Sequence, residues 1–258
     1  MDKRAVPLGS VVSPVVVAFL WEGAVAAGLL RPAYLPPPSR LVPHLVRLLA
    51  GGDLWSHMAV TMERLGMSFA LAVLPAVALG LCLGMWRGLR LALEPILTSL
   101  YAIPKIALLP LIMLVLGVGE RALIFTATLT GFLQMTVSTM GGVLGVERTV
   151  LEAGRNYGAT GWRLFRYVLL PSALPEIFTG MRIGLGLTLV LVIAVELTAA
   201  QVGLGAFLWT AGQTLSVQNL FAGFVVIGAL GLILTYGLER LGDRLMPWRE
   251  RGRDGFFV

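Results

Sequence analysis

Apolar residues are concentrated in six long stretches of the chain, which polar and basic segments separate. A transmembrane helix needs about 20 mainly apolar residues, since it rises about 1.5 Å per residue across about 30 Å of hydrocarbon. The six stretches reach that length and lie at roughly 11–30, 65–86, 96–117, 122–144, 177–200 and 220–238. Unpaired backbone groups are too costly in lipid, and these runs lack the alternation of barrel strands. The pattern therefore predicts an all-α, polytopic membrane protein with six transmembrane helices, namely a leading helix and a five-helix body.

Composition supports this class and excludes others. Hydrophobic residues make up 57% of the chain and charged residues 13%, against about 25% charged residues in a soluble domain. The net charge is +6, but the basic residues flank the apolar stretches and form no aromatic-interleaved patch, so no nucleic-acid partner is expected. Cys82 is the single cysteine, and His44 and His57 are far apart with little carboxylate support. Neither a disulfide framework nor a metal site is expected.

The positions of Lys and Arg predict the orientation of the helices, because cytoplasmic loops carry an excess of basic residues. With the N-terminus inside, the cytoplasmic side receives Lys3, Arg4, Arg87, Arg90, Arg148, Arg155, Arg163, Arg166, Arg240, Arg244, Arg249, Arg251 and Arg253. The outer side receives only Arg31, Arg40, Arg47, Arg64 and Arg121. Both termini are therefore predicted to be cytoplasmic.

The chain divides into three predicted parts. Residues 1–54 contain the leading helix and a proline-rich external connector with a short helix at 44–49. A cleaved signal peptide is the alternative for the N-terminus, but an acidic residue just before the candidate cleavage site favours an uncleaved helix. Residues 55–245 form the transmembrane body with a cytoplasmic segment at 145–176, and residues 246–258 form a cytoplasmic tail. Kinks are expected at three prolines within the apolar stretches, Pro75, Pro104 and Pro110.

The cytoplasmic segment is predicted to form a helix-turn-helix. Residues 149–157 can form about two turns of helix, and Gly158 can adopt the left-handed conformation that ends a helix. A second short helix runs from Thr160 until Pro171 stops it. Its apolar residues are expected to pack against the spans, whereas the charged residues face the cytosol. Those charged residues are Glu152, Arg155, Arg163 and Arg166.

This segment resembles the EAA motif of permease subunits from binding-protein-dependent ABC importers. The residues in register with that motif are Glu152, Ala153, Gly158, Leu170 and Pro171. Two positions differ, since Gly154 replaces an Ala and Val168 replaces an Ile. An ordinary amphipathic connector is the alternative interpretation.

Other segments are similar to the nitrate, taurine and alkanesulfonate branch of that family. They are Tyr101 to Leu111, Gly117 to Glu120, His57 with Thr61 and Arg64, Val195-Glu196, and Gly203 to Gly205. The chain departs from many members in the fourth span, where it has Gln134 and Ser138-Thr139. That departure leaves the substrate open.

The resemblance implies a permease of the bacterial inner membrane that pairs with a second copy, as a homodimer. Two ATPase subunits would bind ATP and Mg, and an external binding protein would deliver a small polar solute such as nitrate, a sulfonate or taurine. The chain itself lacks a Gly-x-x-x-x-Gly-Lys-Ser/Thr loop, so no catalytic residue and no bound cofactor are expected. The implied ATPase-coupling residues are Glu152, Ala153, Gly154, Arg155, Tyr157, Gly158 and Pro171. A self-contained secondary transporter is the alternative, although no coupling-ion residues or repeat symmetry are visible.

Polar residues inside apolar spans usually face a bundle interior or an aqueous pathway. The candidates for the substrate pathway are Gln134, Ser138, Thr139 and Glu196. Two alternatives stay open, because Glu196 could pair with an Arg and the hydroxyl groups could bond to their own helix. Lys105 in the third span could either extend towards the interface or attract an anion.

Overall fold

The computed structural model describes residues 8–248, and all regular secondary structure within that range is helical. The α-helices are α1 Leu8–Ala26, α2 Pro38–Ala50, α3 Asp53–Met85, α4 Arg87–Ala102, α5 Leu109–Leu116, α6 Glu120–Leu144, α7 Arg148–Asn156, α8 Gly161–Leu164, α9 Leu170–Ala199, α10 Leu204–Gln213 and α11 Val217–Leu245. A 3-10 turn, Lys105–Leu108, precedes α5, and a π-helical turn, Phe165–Leu169, joins α8 to α9. The terminal basic residues used for orientation lie outside the described range: Lys3, Arg4, Arg249, Arg251 and Arg253. So does most of the predicted tail, and the orientation stays a prediction.

Four continuous helical segments in the described range are long and apolar enough to span a membrane. They are Asp53–Met85, Glu120–Leu144, Gly161–Ala199 and Val217–Leu245. Each contains one predicted span, but the first begins at Asp53 and not near Leu65. Gly52 has a left-handed backbone with φ of 82°, and Asp53 then occupies the first helical turn, where a carboxylate suits the helix dipole. Hydropathy alone missed the polar first turns of this helix.

The predicted third span is not one straight helix. Helix α4 and the segment Lys105–Leu116 are bent by 91° at a break beside Pro104, which lacks a backbone N–H and cannot continue the helix. Pro110 lies in the first turn of α5, where it needs no intrahelical donor. Pro75, in contrast, lies inside α3, which continues to Met85. The predicted kink near Pro104 is therefore a complete break.

The first predicted span and its connector also differ from expectation. Helix α1 has 19 residues and ends at Ala26, four residues before the predicted end of the span. The connector contains the 13-residue helix α2, longer than the predicted turn at 44–49. Glu22 ties the two helices together, because its carboxylate accepts hydrogen bonds from the Ser39 backbone N–H at 3.0 Å and hydroxyl at 2.7 Å. With four spanning segments, or five if the bent pair is one span, the six-span count stays a prediction.

Helices α3, α6 and α9 form the centre of the bundle, and small residues allow their close approach. A methyl group built on Gly80 of α3 would lie 2.5 Å from Thr139 Cβ of α6. Gly180 of α9 faces Ser138 of α6 just as closely. Gly142 of α6 makes a similar contact with Glu176 of α9. The core therefore holds three helices in a fixed relation to one another.

Candidate functional site

Helix α7 carries the segment that resembles the EAA motif, and its termination follows the prediction. It ends at Asn156, and Gly158 has φ of 80°. Gly158 N donates to Arg155 O at 2.9 Å and Ala159 N donates to Gly154 O at 3.0 Å. These two bonds form a Schellman motif, in which a left-handed residue lets the chain reverse direction. The predicted helix end at Gly158 is confirmed.

Gly154 provides the contact that seats α7 on the following helix. A methyl group at this position would lie 2.8 Å from Val168 Cγ2 and 3.2 Å from Leu164 Cδ1. The two departures from the family motif, Gly154 and Val168, therefore face each other. Because both residues are smaller than those of the motif, α7 can lie closer to the helix that follows it.

The sequence predicted that Pro171 ends the second helix, and this prediction is wrong. The chain remains helical from Gly161 to Ala199, and Pro171 lies in the first turn of α9. The π-helical turn just before it widens the helix, so that Leu170 N donates to Phe165 O, five residues back. This local widening accommodates a proline ring that would clash in a regular helix interior.

The exposed surface of the segment is more aromatic than predicted. Tyr157 is 94% exposed, Trp162 72% and Tyr167 73%, whereas the apolar residues of this segment were expected to pack against the spans. Other apolar residues of the segment are partly buried, among them Leu151, Leu164, Phe165, Val168, Leu169 and Leu170. Glu152 and Arg155 are exposed, as expected, and Ala153 between them is exposed as well. The surface offers both charge and aromatic area to a partner.

Glu196 lies at the opposite end of the bundle and is fully buried. Arg64 Nη1 of α3 donates to its Oε1 at 2.8 Å, which is the Arg-paired arrangement left open above. The same guanidinium makes two bonds to Glu120 of α6, at 2.8 Å and 2.6 Å, and a fourth to Val202 O at 2.6 Å. Arg64 is 4% exposed. One buried cation thus connects α3 with the start of α6 and the end of α9.

The same carboxylate holds the start of α10. Gly205 N donates to Glu196 Oε2 at 2.9 Å, and Leu204 N donates to Thr61 Oγ1 at 2.8 Å. The Thr61 hydroxyl donates in turn to the Glu196 carboxylate at 2.9 Å. Gly203, with φ of 134°, turns the chain into the helix, and its backbone lies against His57 Nδ1, which is 2.8 Å from Gly203 O and 3.1 Å from Gly203 N. The first N–H groups of α10, which no helical carbonyl can satisfy, therefore have partners from two other helices.

The polar residues of α6 that were predicted to line the substrate pathway lie in two different environments. Gln134 is partly exposed, and its Oε1 accepts a 2.7 Å hydrogen bond from Tyr101 Oη of α4. Gln134 Nε2 donates to Ser138 Oγ at 3.2 Å. Ser138 packs against α9, and Thr139 is 1% exposed against α3. Only Gln134 among these three residues combines an exposed surface with a polar contact to another helix.

Sequence reasoning did not connect Arg64 or Thr61 with Glu196. The signal was present, because His57, Thr61 and Arg64 are four and three residues apart, a spacing that places all three on one helical face. The partner could not be read from the sequence, since Arg64 and Glu196 are 132 positions apart.

Comparison with known proteins places these features in a family. The chain is 33% identical over 238 residues to the taurine transport system permease protein TauC of Escherichia coli (strain K12), covering 90% of this chain and 86% of that protein. It is 32% identical to the riboflavin transport system permease protein RibX of Chloroflexus aurantiacus, over 93% of this chain and 89% of that protein. The fold is similar to the crystal structure of an amino acid ABC transporter with histidines, with a TM-score of 0.60, 18% identity and coverage of 80% of this chain and 98% of that chain.

The family match covers the body of the protein. Residues 67–251 match the family described as binding-protein-dependent transport system inner membrane component. This result favours an importer permease over a self-contained secondary transporter, and agrees with the resemblance to the taurine and sulfonate branch. The chain therefore belongs to the inner-membrane permease components of binding-protein-dependent ABC importers.

Proposed function

We propose that two copies of this chain form the pathway of an importer for a small sulfonated solute, such as taurine. Two separate ATPase subunits bind ATP and Mg, and an external binding protein delivers the solute. The similarity to a taurine permease over 90% of the chain supports the substrate class. In this arrangement the chain has six transmembrane helices, both termini are cytoplasmic, and residues 55–245 form the permease core.

One observation carries the coupling role: a single helix connects the α7 segment with the network around Glu196. Helix α7 rests through Gly154 on the start of the continuous segment Gly161–Ala199. That segment has 39 residues, or a length of about 58 Å at about 1.5 Å per residue. Glu196, near its far end, holds Arg64 and the first turn of α10.

Motion of α7 would therefore reach the other end of the bundle without crossing a loop. The exposed Glu152, Arg155 and Tyr157 meet the ATPase in this proposal, and Gly158 and Gly154 fix the angle between α7 and the long helix. Pro171 acts through the widened turn beside it and not as a helix end. Such a lever couples ATP binding to alternating access if the two ends move as one element.

The pathway role is kept for Gln134, which presents a polar amide on the exposed face of α6. Ser138 and Thr139 support the contacts of α6 with its neighbours, and Glu196 acts as the fixed point of α10. This assignment separates residues that would meet the solute from residues that hold the helices together.

The test is taurine uptake into proteoliposomes that contain the chain, its ATPase subunits and its binding protein. Glu152→Ala should weaken co-purification of the ATPase and lower uptake by about tenfold or more, the effect of losing one charge-assisted contact. The matched control is Glu94→Ala, which removes an exposed carboxylate from α4 and should leave both readouts unchanged. Wild-type values of both readouts in Glu152→Ala would refute the coupling role. Failure of the unmodified chain to take up taurine would refute the substrate class.

A further inference from the structure

The break between α4 and α5 holds one ammonium group in a part of the sequence with no other charge. Lys105 is the only charged residue between Pro95 and Gly119, and residues 122–144 of α6 carry none. The Lys105 ammonium donates to Tyr101 O at 2.6 Å and lies 4.9 Å from the centroid of the Tyr101 ring. Its position is therefore fixed by the residues on either side of Pro104.

The hydrogen bond between Tyr101 and Gln134 gives the depth of this cation. Gln134 lies 14 residues after Glu120 and 10 residues before Leu144, the two ends of α6. At about 1.5 Å per residue these separations are about 21 Å and about 15 Å along the helix axis. The Tyr101 hydroxyl therefore lies near the middle of the span. The Lys105 ammonium lies 4.9 Å from the centroid of the same tyrosine ring, so it lies close to the depth of this hydroxyl.

The ammonium has no anionic partner among the described residues. The ion pairs of Arg64 use Glu120 and Glu196, and no carboxylate oxygen in the described range lies within ion-pair distance of Lys105 Nζ. Insertion of a lysine at this depth is costly. Intramembrane charges of this kind face a water-filled cavity or mark the path of a substrate or ion.

We propose that Lys105, Tyr101 and Gln134 form a contact site for an oxyanion, such as the sulfonate group of a solute passing through the membrane. Lys105 uses one of its three N–H groups on Tyr101 O, so two remain to donate to sulfonate oxygens. The site lies at a break in a helix near the bilayer midplane, the position at which other transporters bind substrates. A single ammonium attracts an anion without holding it tightly, as passage requires. This inference rests on the proposed function and names its selective residue.

The test measures attraction of an anion directly, and needs neither ATP hydrolysis nor a known cargo. In the assembled transporter, Cys82→Ser removes the native thiol, and Gln134→Cys introduces a thiol at the proposed site for the reagents to modify. Its rate of modification is measured with sulfonatoethyl methanethiosulfonate, which carries a sulfonate, and with the cationic trimethylammonioethyl reagent. Lys105→Gln should lower the ratio of anionic to cationic rates by about tenfold, since one nearby charge acts with opposite sign on the two reagents. Lys105→Arg should keep the ratio.

A matched control is Arg121→Gln, which removes an exposed cation from the start of the same helix. It should leave the ratio unchanged, because Arg121 lies about 20 Å along α6 from position 134. An equal fall in Lys105→Gln and Arg121→Gln would overturn the inference, as would an unchanged ratio in Lys105→Gln. Absence of labelling by either reagent, with and without ATP, would also overturn it, since the site must contact water. A charge-dependent ratio together with failed taurine uptake would refute the proposed function alone.

Discussion

Substitution of Glu196 by Gln tests whether the buried network fixes the end of the bundle. The carboxylate accepts bonds from Arg64, Thr61 and Gly205 and is fully buried. Gln keeps the shape but replaces one oxygen with a donor, which must face either the guanidinium or the Gly205 N–H. Removing one partner of a buried ion pair costs about 3–5 kcal/mol. For a chain of this size, each kcal/mol of lost unfolding free energy lowers the Tm by about 2–4 °C. The apparent Tm should therefore fall by at least about 6 °C.

The assay is thermal unfolding of the purified transporter in detergent at one fixed scan rate. Glu120→Gln is the matched control, because it removes the other carboxylate that binds Arg64. The Glu120 side chain is 60% exposed, whereas that of Glu196 is 0% exposed. Partly exposed pairs contribute about 1 kcal/mol or less, so the control should lower the Tm by only a few degrees. Equal shifts in the two variants would refute the view that Glu196 is the buried anchor.

The other predictions concern the helix contacts. Gly158→Val should lower uptake strongly, because a β-branched residue is strained at φ of 80°; normal uptake and ATPase co-purification would contradict this. Gly154→Leu should push α7 away from Leu164 and Val168 and so abolish co-purification of the ATPase. Intact co-purification would show that this contact is not needed for binding of the ATPase. Thr139→Val should leave uptake unchanged and match or exceed the wild-type Tm, because Thr139 Oγ1 is buried with no hydrogen-bond partner in the described range. Thr136→Val is its control, since it removes a 2.7 Å bond to Phe132 O; a selective loss of uptake in Thr139→Val would instead support a pathway role.

Local chemistry made some elements predictable. The end of α7 depends on Gly158, whose conformational freedom is a property of one residue, and the structure confirms it. Four spanning segments follow from the lengths of their apolar runs. In both cases the determining residues are adjacent in the sequence.

Other elements depend on balances that a sequence pattern does not contain. Pro104 breaks a helix. Pro171 is accommodated within a continuous helix, because a π-helical turn precedes it. The polar first turns of α3 lack the hydropathy of a span, although they are helical from Asp53. The pairing of Arg64 with Glu196 requires three helices to meet, which spacing along one helix cannot reveal.

The continuity of Gly161–Ala199 changes where this protein can be recombined with its relatives. A chimera joined at Pro171, where the motif ends, would separate the widened turn from the proline that it accommodates and divide one helix between two parents. The natural junction is the Schellman turn at Gly158, which already separates α7 from the long helix. Exchange of α7 alone would then transfer the proposed ATPase-facing surface, whereas exchange of residues beyond Gly161 would also replace part of the helix that carries Glu196.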